Sequence, residues 1–276
     1  MPLSGVRAAI LALAAGALPI GSAPSQGPAG AGGVSVTFLA NAGVLLSSGD
    51  DQVLIDGLYR RYEGYAVPPD STRVALARAR PPFDAVDLVL VTHRHGDHFH
   101  PAPVAAHLRA NPRATFLGPG QVADSLRGRL PAGAMRGPRF MVRTAAPGTR
   151  RREAAGGIAV EVLGLPHVGR RHRSVGHLGY VVEIGGRRVL HVGDAELSEA
   201  ALAPLRLDTA RIDVALLPYW EVTSQEGRRV IRKWIRPRQV AAIHLPERGT
   251  ARIEREVRAA WPGAAAFARP LDVRRW

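Results

Sequence analysis

The sequence predicts an α/β sandwich, with two sheets packed face to face and helices outside them. Three observations predict it. Two stretches of the chain each open with short β-rich runs and continue with strands alternating with helices. Several strand-length runs are apolar throughout, the form taken by a strand buried on both faces. Finally, 276 residues with 46% hydrophobic and 22% charged side chains supply one sizeable core and match neither a disordered nor a collagen-like composition. One large domain is expected, over residues 34–276.

The first element is not part of that domain. Arg7 is the only charge ahead of the apolar run 8–18, and small and polar residues follow from Gly21 to Ser25. A short basic start, an apolar stretch and a small-residue exit describe a secretory signal peptide over 1–25. The run is too short to span a bilayer. A Pro/Gly/Ser-rich linker over 26–33 separates it from the fold. The expected location is therefore periplasmic or secreted, with no transmembrane segment in the mature chain.

From residue 34 the runs 34–39, 43–47 and 52–56 read as a β-meander, with a turn at 48–51. Residues 59–69 are aromatic, Pro-bounded and irregular. Residues 71–80 have helical composition before Pro81 and Pro82 stop them. A buried strand is expected over 87–92, helices over 104–110 and 121–130, and a strand over 115–117. The stretch 143–157 is basic and turn-rich and carries little signal. In the second half, 158–163, 179–184 and 188–192 read as strands, with Gly185-Gly186 as a two-residue hairpin turn. A strand over 212–217, a helix over 225–235 closed by Pro237, a strand over 239–243 and a helix over 251–260 complete the chain.

Cysteine is absent, which excludes disulfides, thiolate nucleophiles and Cys-containing zinc knuckles. Any metal site must use His, Asp or Glu. The formal charge is +14, and every basic residue except Lys233 is arginine. That balance reads as a solvated basic surface in an arginine-rich chain, and no nucleic-acid partner is expected.

Directly after the buried run 87–92 comes His93-Arg94-His95-Gly96-Asp97-His98. On extended chain, residues two apart point the same way, so His93 and His95 can grip one ion, while the turn at Gly96 can redirect Asp97 and His98 toward a second. Neutral imidazole and carboxylate suit zinc, manganese or iron. Three further candidates, His167, Asp194 and His244, each stand just past the C-terminal end of an apolar strand. In open α/β sheets that edge is where ligands bind.

His-x-His-x-Asp-His after a buried strand, then a downstream His, a Gly-Asp and a late Ile-His, resembles the metallo-β-lactamase-fold hydrolase superfamily, from about residue 34 to 271. The opening 38–46, with Leu54-Ile55-Asp56 after it, is similar to the branch that includes sugar-phosphate lactonases and N-acyl phospholipid phosphodiesterases. The resemblance implies a four-layer αββα sandwich and two divalent ions, zinc first with manganese or iron as alternatives. It places His93, His95 and His167 on one ion, Asp97, His98 and His244 on the other, and Asp194 between them. It also implies a metal-bridging hydroxide oriented by Asp97, which takes its proton. Penicillin-degrading members usually place Cys at a second-metal position, which this chain lacks, and that argues against a dedicated β-lactamase.

His172, His177 and His191 are candidates to protonate the leaving group, and Asn41 and Asp56 are candidates to line the cleft. Arg170, Arg171 and His172 lie in a basic segment just after His167, where guanidinium forks could meet phosphate or carboxylate. Tyr219 and Trp220, just past another strand end, could wall the pocket. The expected function is hydrolysis of an ester-type bond, phosphodiester or lactone, in a small, anionic substrate. The alternatives are a metal- or anion-binding protein without turnover and an iron-dependent oxidoreductase on the same fold.

Overall fold

A computed structural model describes residues 32–276. The expected export signal and all but the end of the expected linker lie outside the described residues. Gly33 already belongs to the fold, its N–H donating to Gly185 O at 2.9 Å.

The first half runs β1 (Ser35–Ala40), β2 (Gly43–Ser48), β3 (Asp51–Ile55), α1 (Asp70–Ala77), β4 (Leu88–Leu90), α2 (Pro101–Ala110), β5 (Thr115–Pro119), α3 (Gly120–Leu126), α4 (Ala132–Arg136) and β6 (Phe140–Arg143). The second runs β7 (Arg150–Ala155), β8 (Ile158–Gly164), β9 (Leu178–Ile184), β10 (Arg187–His191), α5 (Glu199–Leu202), β11 (Val214–Pro218), α6 (Tyr219–Thr223), α7 (Gln225–Trp234), β12 (Gln239–Ile243), α8 (Thr250–Ala260), β13 (Ala265–Ala266) and β14 (Val273–Arg275). Two seven-stranded sheets result, ordered β14-β1-β2-β3-β4-β5-β6 and β13-β12-β11-β10-β9-β8-β7. In each, an antiparallel meander passes into parallel strands, at β3–β4 in the first sheet and at β10–β11 in the second. Among the described residues no helix is long and apolar enough to cross a membrane.

The uninterrupted apolar runs are explained by three hydrophobic layers. Along β3, Val53 and Ile55 enter the core between the sheets, while Leu54 joins the core under α1, α2 and α3. Along β11, Val214 and Leu216 face the same central core, while Ala215 and Leu217 meet Val230 and Ile231 of α7 and Ile253 and Val257 of α8. A period-two chain with an apolar core on each side must be apolar at every position. The outcome is the expected sandwich with helices outside both sheets.

Local signals set the element ends. Ser224 Oγ accepts from Gly227 N–H at 3.0 Å and caps α7, and the His100 side chain accepts from Ala102 N–H to cap α2, whose first turn carries Pro101. The Gly185-Gly186 turn has φ of 57° and 71°. Any Cβ on Gly185 would collide with Gly33 O and Ser48 Oγ. That bare hairpin tip lets the second sheet seat against the first.

Four strands depart from the sequence expectation. β6 ends where the basic stretch without clear signal begins, β7 lies within that stretch, and β13 and β14 follow the last expected helix. β7 carries Arg150, Arg151 and Arg152 at a sheet edge, where Arg150 pairs with Glu161 and Arg152 with Glu183. An edge strand held by ion pairs across the sheet needs no apolar alternation.

Candidate metal centre

The loop after β4 and the segments following β8, β10 and β12 meet at one edge of the sandwich. There the ligand atoms of His93, His95 and His167 lie within 4.8 Å of one another, and so do those of Asp97, His98, Asp194 and His244. Asp194 touches both groups. Its Oδ1 is 3.2 Å from His98 Nε2 and 3.2 Å from His244 Nε2, and its Oδ2 is 3.9 Å from His167 Nε2.

Neighbouring groups fix which imidazole nitrogens face the cluster. Asp56, buried at the end of β3, accepts from Thr92 N–H at 2.8 Å and from Thr92 Oγ1–H at 2.6 Å. Its Oδ2 also faces His98 Nδ1 at 2.8 Å, so that nitrogen carries the proton and Nε2 is free. The Thr92 hydroxyl, having donated to Asp56, accepts from His93 Nδ1 at 3.0 Å, and Val168 O accepts from His167 Nδ1 at 2.8 Å. His93, His98 and His167 therefore all present Nε2. His95 presents Nδ1, 3.1 Å from His93 Nε2.

The backbone is bent to make this arrangement. Asn41, Asp56 and His244 adopt φ of 53°, 48° and 63°, the left-handed region that costs a non-glycine residue about 1–2 kcal/mol. His244 N–H donates to Asn41 O at 2.7 Å, which ties the end of β12 to the first hairpin. Asp194 follows Gly193, at φ 56°, where a Cβ would press on Thr92 and His177. Only glycine makes this turn without displacing the groups that hold His93.

The charges divide the cluster. Burial, reinforced by nearby His98, holds His93 well below the ordinary imidazole range, and burial with His167 and His172 pushes His95 down to about 4. For His98 and His244, burial works the same way but is outweighed by Asp194, helped by Asp56 at His98 and by Asp97 at His244, and both are raised. Burial would favour neutral Asp194, yet His98 and His244 hold it well below the usual carboxylate range.

The donors fit a divalent cation. His167 Nε2 and Asp194 Oδ1 are buried without a hydrogen-bond partner, a costly state that a cation relieves. His98 Nε2 and His244 Nε2 face each other at 3.1 Å, as lone pairs aimed at a common ion do.

A model of the β-lactamase superfamily domain matches residues 53–262, a span that contains all seven of these side chains. The chain belongs to the metallo-β-lactamase superfamily. A UPF0173 metal-dependent hydrolase of Cupriavidus necator is 29% identical over 251 residues, 86% of this chain and 83% of that protein. Among solved structures, the metallo-β-lactamase fold protein YhfI from Bacillus subtilis superposes with a TM-score of 0.60 at 14% identity, over 89% of this chain and 100% of that one. CmlA, a diiron β-hydroxylase from Streptomyces venezuelae, superposes with a TM-score of 0.52 at 18% identity, over 91% of this chain and 55% of that one. The two structural likenesses establish the fold alone.

Other side chains around this superfamily member's cluster sort by contact. Asn41 and Asp56 do not line a cleft. Asn41 Nδ2 donates to Asp97 O at 3.0 Å and to Asp97 Oδ2 at 3.3 Å, and Asp56 stands buried behind His98 with its oxygens engaged. Both position ligands instead. His191 is likewise consumed, donating from Nε2 to Ala42 O at 2.9 Å and accepting Gly193 N–H on Nδ1 at 3.1 Å. His177 Nε2 accepts Asp194 N–H at 3.1 Å. His172 packs 4.8 Å from both His95 and His167, and its Nε2 accepts from Arg171 Nε at 2.9 Å. Arg170 and Arg171 are exposed beside it. Trp220 packs on His244 with ring centroids 5.0 Å apart, and Tyr219 packs on Trp220 at 5.4 Å.

Sequence reasoning missed Thr92 and Tyr65. Tyr65 lies edge-on to His244 at 4.6 Å, and burial with the Asp97 and Asp194 carboxylates pushes its phenol up to about 12. Its signal was the aromatic, irregular stretch that contains it.

Proposed function

We propose that this member of the superfamily is an exported metal-dependent hydrolase that cleaves an ester-type bond, phosphodiester or lactone, in a small anionic substrate with the help of two divalent ions. The observation that carries the reading is the meeting of two ligand sets at Asp194, one carboxylate with an oxygen toward each. Divalent ions held there, zinc first given imidazole and carboxylate donors, would supply a water-derived nucleophile at neutral pH and a Lewis acid for the substrate oxygen.

The chain's own groups supply the rest. His93, His95 and His167 would hold one ion, and Asp97, His98 and His244 the other. Asp97, fixed by Asn41 through its backbone carbonyl and its side chain, orients the attacking water and receives its proton. Arg170 and Arg171 offer guanidinium forks to the substrate's anionic group at the rim of the first set. Of the three candidate proton donors, His172 alone is partly exposed beside the cluster, whereas His177 and His191 are buried behind it. With Nε2 accepting from Arg171, Nδ1 is the nitrogen left to meet the leaving group.

A hydrolysis panel of phosphodiesters, lactones and β-lactams tests the reading when run on wild type, Asp97→Ala and His98→Ala with metal content measured alongside. Turnover of a phosphodiester or lactone that both variants lose supports it. Wild type and variants indistinguishable on every substrate would favour a binding protein, and bound iron with oxygen consumption would favour oxidoreductase chemistry. Export is supported by a mature N-terminus near residues 23–30 and overturned by an intact Met1 in fractionated cells.

A further inference from the structure

The cluster has two unlike rims. Beside His95 and His167 stand Arg171 and His172, polar and cationic. Beside His244 stand two aromatic rings, Tyr65 at 4.6 Å and an interplanar angle of 84°, and Trp220 at 5.0 Å and 72°. Tyr62, 47% exposed, stacks on Tyr65 at 6.3 Å, so aromatic surface runs from solvent to the ligand His244. The loop bearing Tyr62 and Tyr65 is anchored there by a bridge from Tyr65 to Pro246 and by Glu247 N–H donating to Gly64 O at 2.8 Å.

These rings are not core. Neither Tyr65 nor Trp220 belongs to any of the three hydrophobic layers, and both are only partly buried. A packing corner would bury its rings among aliphatic side chains, whereas these two lean on a histidine at the cluster. Trp220 adds a second observation, because its indole Nε1–H is buried and has no acceptor. A buried tryptophan ordinarily finds one.

We propose that Tyr65 and Trp220 form a subsite for a flat apolar group, an aryl moiety, with the indole N–H offered to an oxygen adjoining that group. The substrate then lies across the cluster in one direction, its anionic end at Arg170 and Arg171 and its aryl end at Tyr65 and Trp220. The direction of cleavage rests on the hydrolase reading above, but the aryl preference does not.

The test is therefore a binding measurement on the metal-loaded protein, with phenylphosphonate and methylphosphonate as non-hydrolysable probes followed by calorimetry and tryptophan emission. Phenylphosphonate is expected to bind about tenfold more tightly, the scale of an aromatic contact plus its buried area. Tyr65→Leu and Trp220→Leu should each shrink that preference to about twofold while bound metal and methylphosphonate affinity stay at wild-type values, and Tyr65→Phe should retain the preference. Equal binding of the two probes by wild type, or a preference that survives both leucine variants, overturns the subsite alone. Binding of neither probe overturns it together with the anionic-substrate reading. An aryl preference in a protein that turns over nothing on the hydrolysis panel upholds the subsite and overturns the hydrolase reading.

Discussion

The two ligand sets share Asp194 yet are built on opposite electrostatic plans. His93, His95 and His167 bring three imidazoles and no carboxylate of their own, and burial keeps all three rings neutral with their ligand nitrogens free. Asp97, His98, Asp194 and His244 bring two buried carboxylates, whose pull on His98 and His244 is the same pull a cation would feel. The first set is a neutral nest at a cationic rim. The second is an anionic nest under aromatic rings, held from behind by Asp56 and Asn41. The contrast teaches that the first set needs shape and tautomer, whereas the second also needs positive charge to balance what it buries. Asp194 couples them, and is the side chain that each set lacks without the other.

The harshest way to break the contrast is Asp194→Ala, which removes the shared oxygens. Activity should fall about a thousandfold or more, corresponding to roughly 4 kcal/mol of transition-state stabilisation, and kcat/KM on the best panel substrate reads it. A loss under tenfold would mean the sets work independently. Next in size is a buried titrating group on α6, the helix that carries Trp220. Glu221, beside Trp220, is pushed up to about 7, chiefly by burial and further by Glu196, against the opposing Leu197 N–H. The folded chain therefore keeps a proton that the unfolded chain releases near 4.5, and the stability this proton supports is present at acid pH and lost as pH rises through about 7. Glu221→Gln should flatten denaturant stability between pH 5 and 8 by on the order of 3 kcal/mol; parallel curves for variant and wild type would contradict this.

Asp56→Asn sharpens the comparison further. It should weaken metal binding at the second set about 10–100-fold while the first set, where Asp56 acts only through Thr92, changes far less. Competition against a chromophoric chelator distinguishes the two, and equal weakening of both would erase the distinction. Smallest is Arg170→Ala at the cationic rim, where an exposed guanidinium is screened by solvent. KM for an anionic substrate should rise about threefold to tenfold with kcat held, since the contact is made equally in ground and transition states.

What could be read from the sequence follows where the chemistry is local. His93 to His98 concentrate ligands in six residues after an apolar strand, and His167, Asp194 and His244 each follow another such strand, so topology alone was needed to join them. Asp56 and Asn41 stand behind His98 and Asp97, which no local pattern reveals because the hydrogen bonds that turn them there cross dozens of residues. Tyr65 reaches His244 only through the bridge to Pro246, far along the chain, and an irregular loop gives no periodicity to reveal that. β7 escaped because its stability lies in Arg150 and Arg152 pairing with Glu161 and Glu183 on neighbouring strands, and a local window sees only charge.

Two metal sites joined by one carboxylate are the core of the proposed function, and elemental analysis of the purified protein and its variants tests for them. Wild type should carry about two equivalents of a divalent ion, His95→Ala and His98→Ala about one each, and Asp194→Ala less than one. A wild type that holds one equivalent or none, or an Asp194→Ala variant that keeps both, would contradict this proposal.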